Sequence, residues 1–207
     1  MIIGIAGLKG SGKDTTGEIL QRSFDDICLE AFADPMKRFC QEVFDFSDEQ
    51  LWGPSEYRER ADTRYRRADG HTLTPRYALQ QLGTEWGRAC CPDIWVKLAM
   101  RKAHERALHG QTTVITDVRF VNEAEAIRDR GGTIWRVERV DVKHGNLPDR
   151  HQSESEIYSS AFERLISTRL DNRDTLQGLE SRVIAAGLNL GLQLKYTWPA
   201  PLPTPSY

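Results

Sequence analysis

The chain opens on an unbroken apolar run, IIGIA at 2–6, and passes directly into a segment of glycines, lysines and hydroxyls, GLKGSGKDTT at 7–16. A short apolar run bounded by turn residues predicts a strand buried on both faces. A helix is predicted over about 14–24 and a second strand over 27–33 (ICLEAFA). Asp34-Pro35, a cap residue with proline at the first helical position, starts a helix that runs to about Phe44. Thr74-Pro75 starts another, to about Cys90, with Leu79, Leu82 and Trp86 as its apolar stripe. A helix over 93–108 precedes TTVITDV at 112–118, a strand dense in β-branched residues. A helix over 121–130 is stopped by Gly131-Gly132, and TIWRVERV at 133–140 is again a strand. Beyond a polar stretch with Gly145 and Pro148 come a weak helix near 153–161, a strand at 165–170 (LISTRL), a turn at Asp171-Asn172 and a helix over 174–186.

Strands that alternate with helices predict an α/β domain with a mostly parallel central sheet. Ligands of such sheets bind at the carboxyl ends of the strands, which singles out the loops after residues 6, 33 and 117. Two stretches break the pattern. Residues 45–72 are polar, charged and turn-rich and read as a mobile insertion with short helical pieces. Five arginines, Arg58, Arg60, Arg64, Arg66 and Arg67, fall within ten of its positions. Residues 191–207 end in prolines 199, 201, 203 and 205 and read as an extended tail after a single domain over 1–190.

Composition narrows the function. With 207 residues, 39% of them hydrophobic, the chain can bury one sizeable core. Its net charge of −2 offers no overall attraction to a duplex backbone, so no DNA contact is expected and anions must be held by local clusters. No apolar stretch approaches the roughly 18 residues of a membrane span, and no signal peptide is read at the N-terminus; a cytoplasmic protein is expected. Cys28, Cys40, Cys90 and Cys91 show no metal-ligand spacing and read as reduced, buried thiols.

Gly7-x-x-x-x-Gly12-Lys13, between a strand and a helix, matches most of the P-loop pattern. Glycines let successive N–H groups turn inward toward phosphate oxygens, and the helix N-terminus adds the positive end of its dipole. Lys13 then reaches the β- and γ-phosphates. The residue after the lysine is usually a magnesium-binding Ser or Thr; here it is Asp14, followed by Thr15 and Thr16. Thr15 takes the α-phosphate position known from nucleoside monophosphate kinases, which this form of the loop resembles. Asp14 either orients magnesium through water or caps the helix. Gly10, Ser11 and Gly12 complete the nucleotide cradle.

Asp117 is expected at the carboxyl edge of the sheet beside the P-loop, as a second magnesium carboxylate or as a helix cap. Arg119 follows as a phosphate fork, and Glu123 as a brace of the loop. On the 74–90 helix, Arg76, Gln80, Thr84 and Arg88 recur every four residues. Amides and guanidinium groups on one face suit a base edge and a phosphate. Lys37 and Arg38 open the helix after the second strand and are candidates for a second phosphate. The 58–67 arginines are either a lid over the transferring phosphates or a solvated helix paired with Glu56, Glu59 and Asp62.

GLKGSGKDTT, ADPMK, RYALQQLGTEWGR, DIWVK, ITDVRFVNEAEAI and GGTIWRVER occur in this order, and together they resemble the deoxynucleoside monophosphate kinases of tailed bacteriophages over about residues 1–186. The resemblance implies a three-layer P-loop kinase fold with a small helical lid. It implies magnesium-dependent transfer from ATP to a deoxynucleoside monophosphate for phage DNA precursors, in the host cytoplasm, and a homodimer. Lys13, Asp117 and Arg119 would act at the transferring phosphoryl group. Lys37, Arg38, Arg76, Gln80, Thr84, Trp86 and Arg88 would face the monophosphate, and Asp14 and Asp117 the metal. Asn172, ahead of the last helix, would lie near the adenine. Two other readings stay open: a P-loop kinase acting on a modified base in DNA or on another phosphate, and a nucleotide-dependent switch without an acceptor.

Overall fold

In the computed structural model the described residues are 1–139 and 156–195. Five parallel strands form the central sheet in the order β2-β5-β1-β6-β7: β1 (Ile2–Ala6), β2 (Ile27–Glu30), β5 (Thr112–Val118), β6 (Thr133–Glu138) and β7 (Thr168–Asp171). Side-chain alternation along β1 sorts the core into two layers. Ile3 and Ile5 face α1 (Lys13–Ser23) and α9 (Leu176–Asn189), against Ile19, Leu20, Leu179 and Val183. Ile2 and Ala6 face α6 (Ile94–Leu108) and α7 (Val121–Arg128), against Ala99, Met100, Ala124 and Ile127. A Cβ on Gly4 would sit 2.8 Å from both Ile127 and Ile134, so that helix layer lies directly on the β1 backbone.

Strand β1 sits at the centre, and its carboxyl end is therefore flanked by the ends of β5 and β6. One register step there matters. Gly4 pairs with Ile115, yet Ala6 pairs with Val118, which puts an extra residue into β5 at Thr116–Asp117. Such a bulge re-aims the side chains beside it.

Several expected boundaries move, each for a visible reason. Strand β2 stops at Glu30 and not at 33, because the Phe32 and Ala33 amides leave the sheet to donate to the Asp117 carboxylate at 2.8 and 3.1 Å. Helix α2 (Asp34–Phe44) has Ala33 as N-cap and no side-chain cap. Asp34 lies inside the first turn and accepts from the Trp52 indole.

The 45–72 insertion is more than helical pieces. It holds α3 (Asp48–Trp52), α4 (Ser55–Glu59) and an antiparallel hairpin of β3 (Asp62–Arg66) and β4 (Thr72–Leu73). The hairpin and α2 close a small core of Cys40, Phe46, Leu51, Leu73 and Ala78. The helix expected over 74–90 divides into α5 (Pro75–Gln80) and a π-helical segment, Gln81–Arg88. The Trp95 indole donates to the Gly83 carbonyl at 2.9 Å. Gly83 and Gly87 let Met36 and the Trp95 ring lie against the backbone, and a Cβ on Gly83 would sit 2.6 Å from the Met36 sulfur.

The 153–161 helix is, over its described part, a 3-10 turn at Glu156–Tyr158 followed by α8 (Ser160–Glu163). The last helix begins later than expected, after a Thr175 cap. Residues 191–195 do not begin a tail. Leu192 is buried, and the Lys195 amide bonds the Ser23 carbonyl. The proline-rich remainder lies outside the described residues. Of the cysteines, all free, only Cys40 is buried, and Cys90 is exposed. Among the described residues, no helix is long and apolar enough to cross a membrane.

Candidate active site

The segment between β1 and α1 forms the floor. Gly7, Gly10 and Gly12 all take positive φ, and Gly12, at φ 102°, is itself the N-cap of α1. An alanine at 12 would be strained twice over, since its Cβ would also sit 2.5 Å from the Asn172 amide nitrogen. Helix α1 carries no side-chain cap, so the capping alternative for Asp14 is not what this backbone uses; Asp14 is an exposed carboxylate in the first turn. Lys13 is 8% exposed and donates to the Leu8 carbonyl at 2.7 Å, folded into its own loop. The Thr16 hydroxyl returns to the Gly12 carbonyl. Ser11 Oγ is buried without a hydrogen-bond partner among the described residues.

A cavity of about 380 Å³ opens over this loop, between Gly10, Gly12, Lys13, Asp14, Thr15 and the start of α9. Asn172 lines it, and its amide nitrogen donates to the Ser11 carbonyl at 2.8 Å, which clamps the loop. Arg139, past the end of β6, lines the same cavity. Nothing in the sequence separated Arg139 from the arginines around it.

Asp117 sits at the β5 bulge with both oxygens accepting from the Phe32 and Ala33 amides, which pins the ends of two strands together. Burial pushes its carboxyl upward, and Arg119 pulls it back, with the two amides and Lys37. Lys37 and Arg119 are thus within electrostatic reach of Asp117. Arg38 points to solvent.

The insertion supplies a residue left unassigned in the sequence. Of the five arginines, Arg60 lies over the Tyr57 ring, Arg64 forks onto Asp62, the exposed Arg66 donates to the Gly70 carbonyl, and Arg67 pairs with Asp69 over the Tyr77 ring. Arg58, half-buried like Arg67, is turned onto the helices of the insertion. Its Nη1 donates to the Leu51 and Gly53 carbonyls. Burial lowers its pKa, as do Arg76 and Arg119, while Asp14 opposes them. Three other segments therefore bring Arg76, Arg119 and Asp14 within electrostatic reach of Arg58. Arg76 is held by Glu59 and Ser55, both at 2.8 Å.

The face expected from Arg76, Gln80, Thr84 and Arg88, with Trp86 added by the resemblance, is divided across the π-helical turn. Thr84 and Arg88 line a second cavity of about 380 Å³ with Phe120, Asn122, Glu125 and Glu156. Gln80 is exposed. Trp86, 58% exposed, stands on the opposite side, on the wall of a separate apolar groove with Phe39, Tyr65 and Leu82. A spacing of four keeps side chains aligned on an α-helix but not on this wider turn.

Glu123 closes the wall between the cavities. It is 3% exposed and accepts from Arg88 at 2.9 Å and from the Arg119 and Phe120 amides at 2.8 and 3.1 Å. Burial, with the Asp117 charge behind it, raises its pKa from 4.5 to about 7 against the pull of the two amides and Arg88. The folded protein therefore keeps a proton between those values that the unfolded chain has lost. The stability this group contributes is full below about pH 4.5 and declines as pH rises to about 7, by at most about 3 kcal/mol. In urea unfolding, the free-energy difference between wild type and Glu123→Gln should fall across that window and level off above it. A difference independent of pH would mean that Glu123 titrates as in the unfolded chain.

No protein-family model matches the chain. In sequence it is 32% identical over 201 residues to a protein of Acanthamoeba polyphaga mimivirus described as a deoxynucleotide monophosphate kinase, a match covering 89% of this chain and 95% of that one. Solved structures of similar shape include the tunicamycin resistance protein of Deinococcus radiodurans, at 12% identity and TM-score 0.47 over 95% and 98% of the two chains. Thymidylate kinase of Candida albicans is another, at 12% and 0.45 over 93% and 96%.

Proposed function

We propose a reaction from one premise: the chain belongs to the deoxynucleotide monophosphate kinase family. It is a nucleotide kinase, and the reaction we assign is transfer of the γ-phosphoryl group of ATP to the 5′-phosphate of a deoxynucleoside monophosphate. An oxygen of the acceptor phosphate forms the new bond to phosphorus, the bond to the β–γ bridging oxygen breaks, and ADP leaves. The attacking oxygen is already anionic, so no strong general base is required. The protein must hold two polyanions in line and neutralise them.

The observation that carries this reading is the gathering of Arg58, Arg76 and Arg119 from separate segments beside the first turn after the P-loop. Glu59 pairs with Arg76 and Asp14 offsets part of the repulsion at Arg58, and an anion bound beside them would offset the rest, over a floor that is already a phosphate cradle. In this reading the loop amides and Lys13 hold the ATP phosphates, with Thr15 near the α-phosphate. Arg58 and Arg119 hold the transferring group. Arg76, Lys37 and Arg88 hold the acceptor, with Phe120 and Thr84 beside its base.

The donor set also suits magnesium. Among the described residues no cluster of three or more metal-ligating side chains exists. A solvent-facing Asp14 and an Asp117 with lone pairs to spare are what an ion needs that keeps most of its waters and binds chiefly through phosphates. Bound there, the ion would neutralise charge on the β- and γ-phosphates.

The test is ADP production from ATP and magnesium with each deoxynucleoside monophosphate in turn, with 5-hydroxymethyl forms, with a DNA oligomer, and with none. Stimulation of at least about tenfold by one or more monophosphates is expected, since only a bound acceptor completes the constellation. A slow, flat background would favour the nucleotide switch, and stimulation by the oligomer alone the DNA-acting kinase. We further place the reaction in the host cytoplasm, where it would supply DNA precursors.

A further inference from the structure

Glu123 does more than a helix cap requires. At the third position of α7 its carboxylate would satisfy the helix by accepting from the Phe120 amide alone. Here one oxygen, Oε2, takes that amide and also the Arg119 amide one residue further out, while Oε1 takes the Arg88 guanidinium from the π-helical segment. The contacts close on themselves, since the Arg88 guanidinium also lies over the Phe120 ring at 4.1 Å. Arg88 is thus fixed by a ring and a carboxylate, and that same carboxylate fixes the backbone carrying the ring. The residue before Phe120 in the chain is Arg119, two past Asp117.

We propose that Glu123 is a positioning residue that ties Arg88 to the Arg119–Phe120 backbone, so that the acceptor-side guanidinium and the loop beside the transferring phosphoryl group are set as one unit. This rests on the acceptor assignment above. A buried carboxylate that served only the helix could be replaced by an amide at little cost, since the amide oxygen still accepts from backbone N–H groups. An amide cannot serve Arg88 as well: its NH₂ end is a donor facing a donor. The Glu123→Gln variant therefore separates the two roles.

With Glu123→Gln, the acceptor KM should rise and kcat fall, each by about tenfold or more, the scale of a misplacement of about 1 Å, while the ATP KM stays within about twofold. The double variant Arg88→Ala/Glu123→Gln should be little worse than Arg88→Ala, because both remove one link. Wild-type constants in Glu123→Gln, or a double variant whose losses multiply, would overturn the proposal. A second measurement does not depend on turnover: hydrogen exchange at the Arg119 and Phe120 amides should quicken in Arg88→Ala by about tenfold, although that residue bonds neither. Unchanged exchange there would overturn the link. Failure of every monophosphate to stimulate the wild type would instead sink the acceptor assignment, and the exchange experiment would still decide the role of Glu123.

Discussion

Replacing Lys13 by alanine is expected to lower phosphoryl transfer by about 10³-fold, the scale of removing a preorganised cation from where charge develops. The magnitude follows from position. Lys13 is the first residue of α1, nearly buried, and its ammonium donates to the Leu8 carbonyl of the loop that would wrap the phosphates. With phosphate bound, the ammonium would exchange the Leu8 carbonyl for an anionic oxygen in a site shielded from water, where a charge-assisted hydrogen bond is strongest. The lost carbonyl bond is worth only about 1 kcal/mol of stability, so the variant should fold and melt within a few degrees of wild type. Turnover with each nucleotide and a melting curve together check the point. Near-normal turnover would remove the phosphate assignment from this loop, and a large loss of melting temperature would make Lys13 a structural residue.

The sequence reading and the structure agree where local chemistry decides the outcome, and part where distant residues do. IIGIA followed by Gly-x-x-x-x-Gly-Lys marks strand, loop and helix within fifteen residues, because each glycine in that turn has a backbone reason to be there. Asp117 at the end of TTVITDV is likewise local to its strand. The end of β2 is not: Asp117, 84 residues away, draws the Ala33 amide out of the sheet. The π-helical segment was hidden for the same reason. Gly83 and Gly87 look like tolerated glycines in a helical pattern until Met36 and Trp95 are packed against them. The stripe drawn at a spacing of four across 76–88 is then interrupted: Thr84 and Arg88 stay together on one cavity, while Gln80 is exposed. Glu123 as a cap or brace of its loop was legible from its place one turn after Arg119. Its hold on Arg88 was not, since that contact spans 35 residues.

The insertion poses the same problem in its plainest form, because five arginines of identical chemistry differ only in where a small core points them. The hairpin, anchored by Asp62 and Arg64, spends Arg64 and Arg67 on its own carboxylates, and α4 turns Arg58 back onto the Leu51 and Gly53 carbonyls, within electrostatic reach of Asp14. Arg58→Ala is expected to lower kcat by about 10²–10³-fold, short of the full effect of an arginine supplied to a transferring phosphoryl group, because Arg119 and Arg76 remain. Arg64→Ala, its neighbour in sequence, should leave kcat within about threefold while destabilising the insertion through the unpaired Asp62, whose carboxyl Arg64 holds well below its usual range. The competing account is that Arg58 only closes α3 through the Leu51 and Gly53 carbonyls. That account predicts a lower melting temperature with kcat intact, and about equal rescue by lysine and glutamine, both of which can donate to a carbonyl. The electrostatic account predicts that lysine, which keeps the charge, recovers more activity than glutamine. The comparison of lysine with glutamine decides between them: Arg76 and Arg119 repel Arg58 where it sits, Asp14 and Glu59 offset part of that repulsion, and a bound anion would offset the rest.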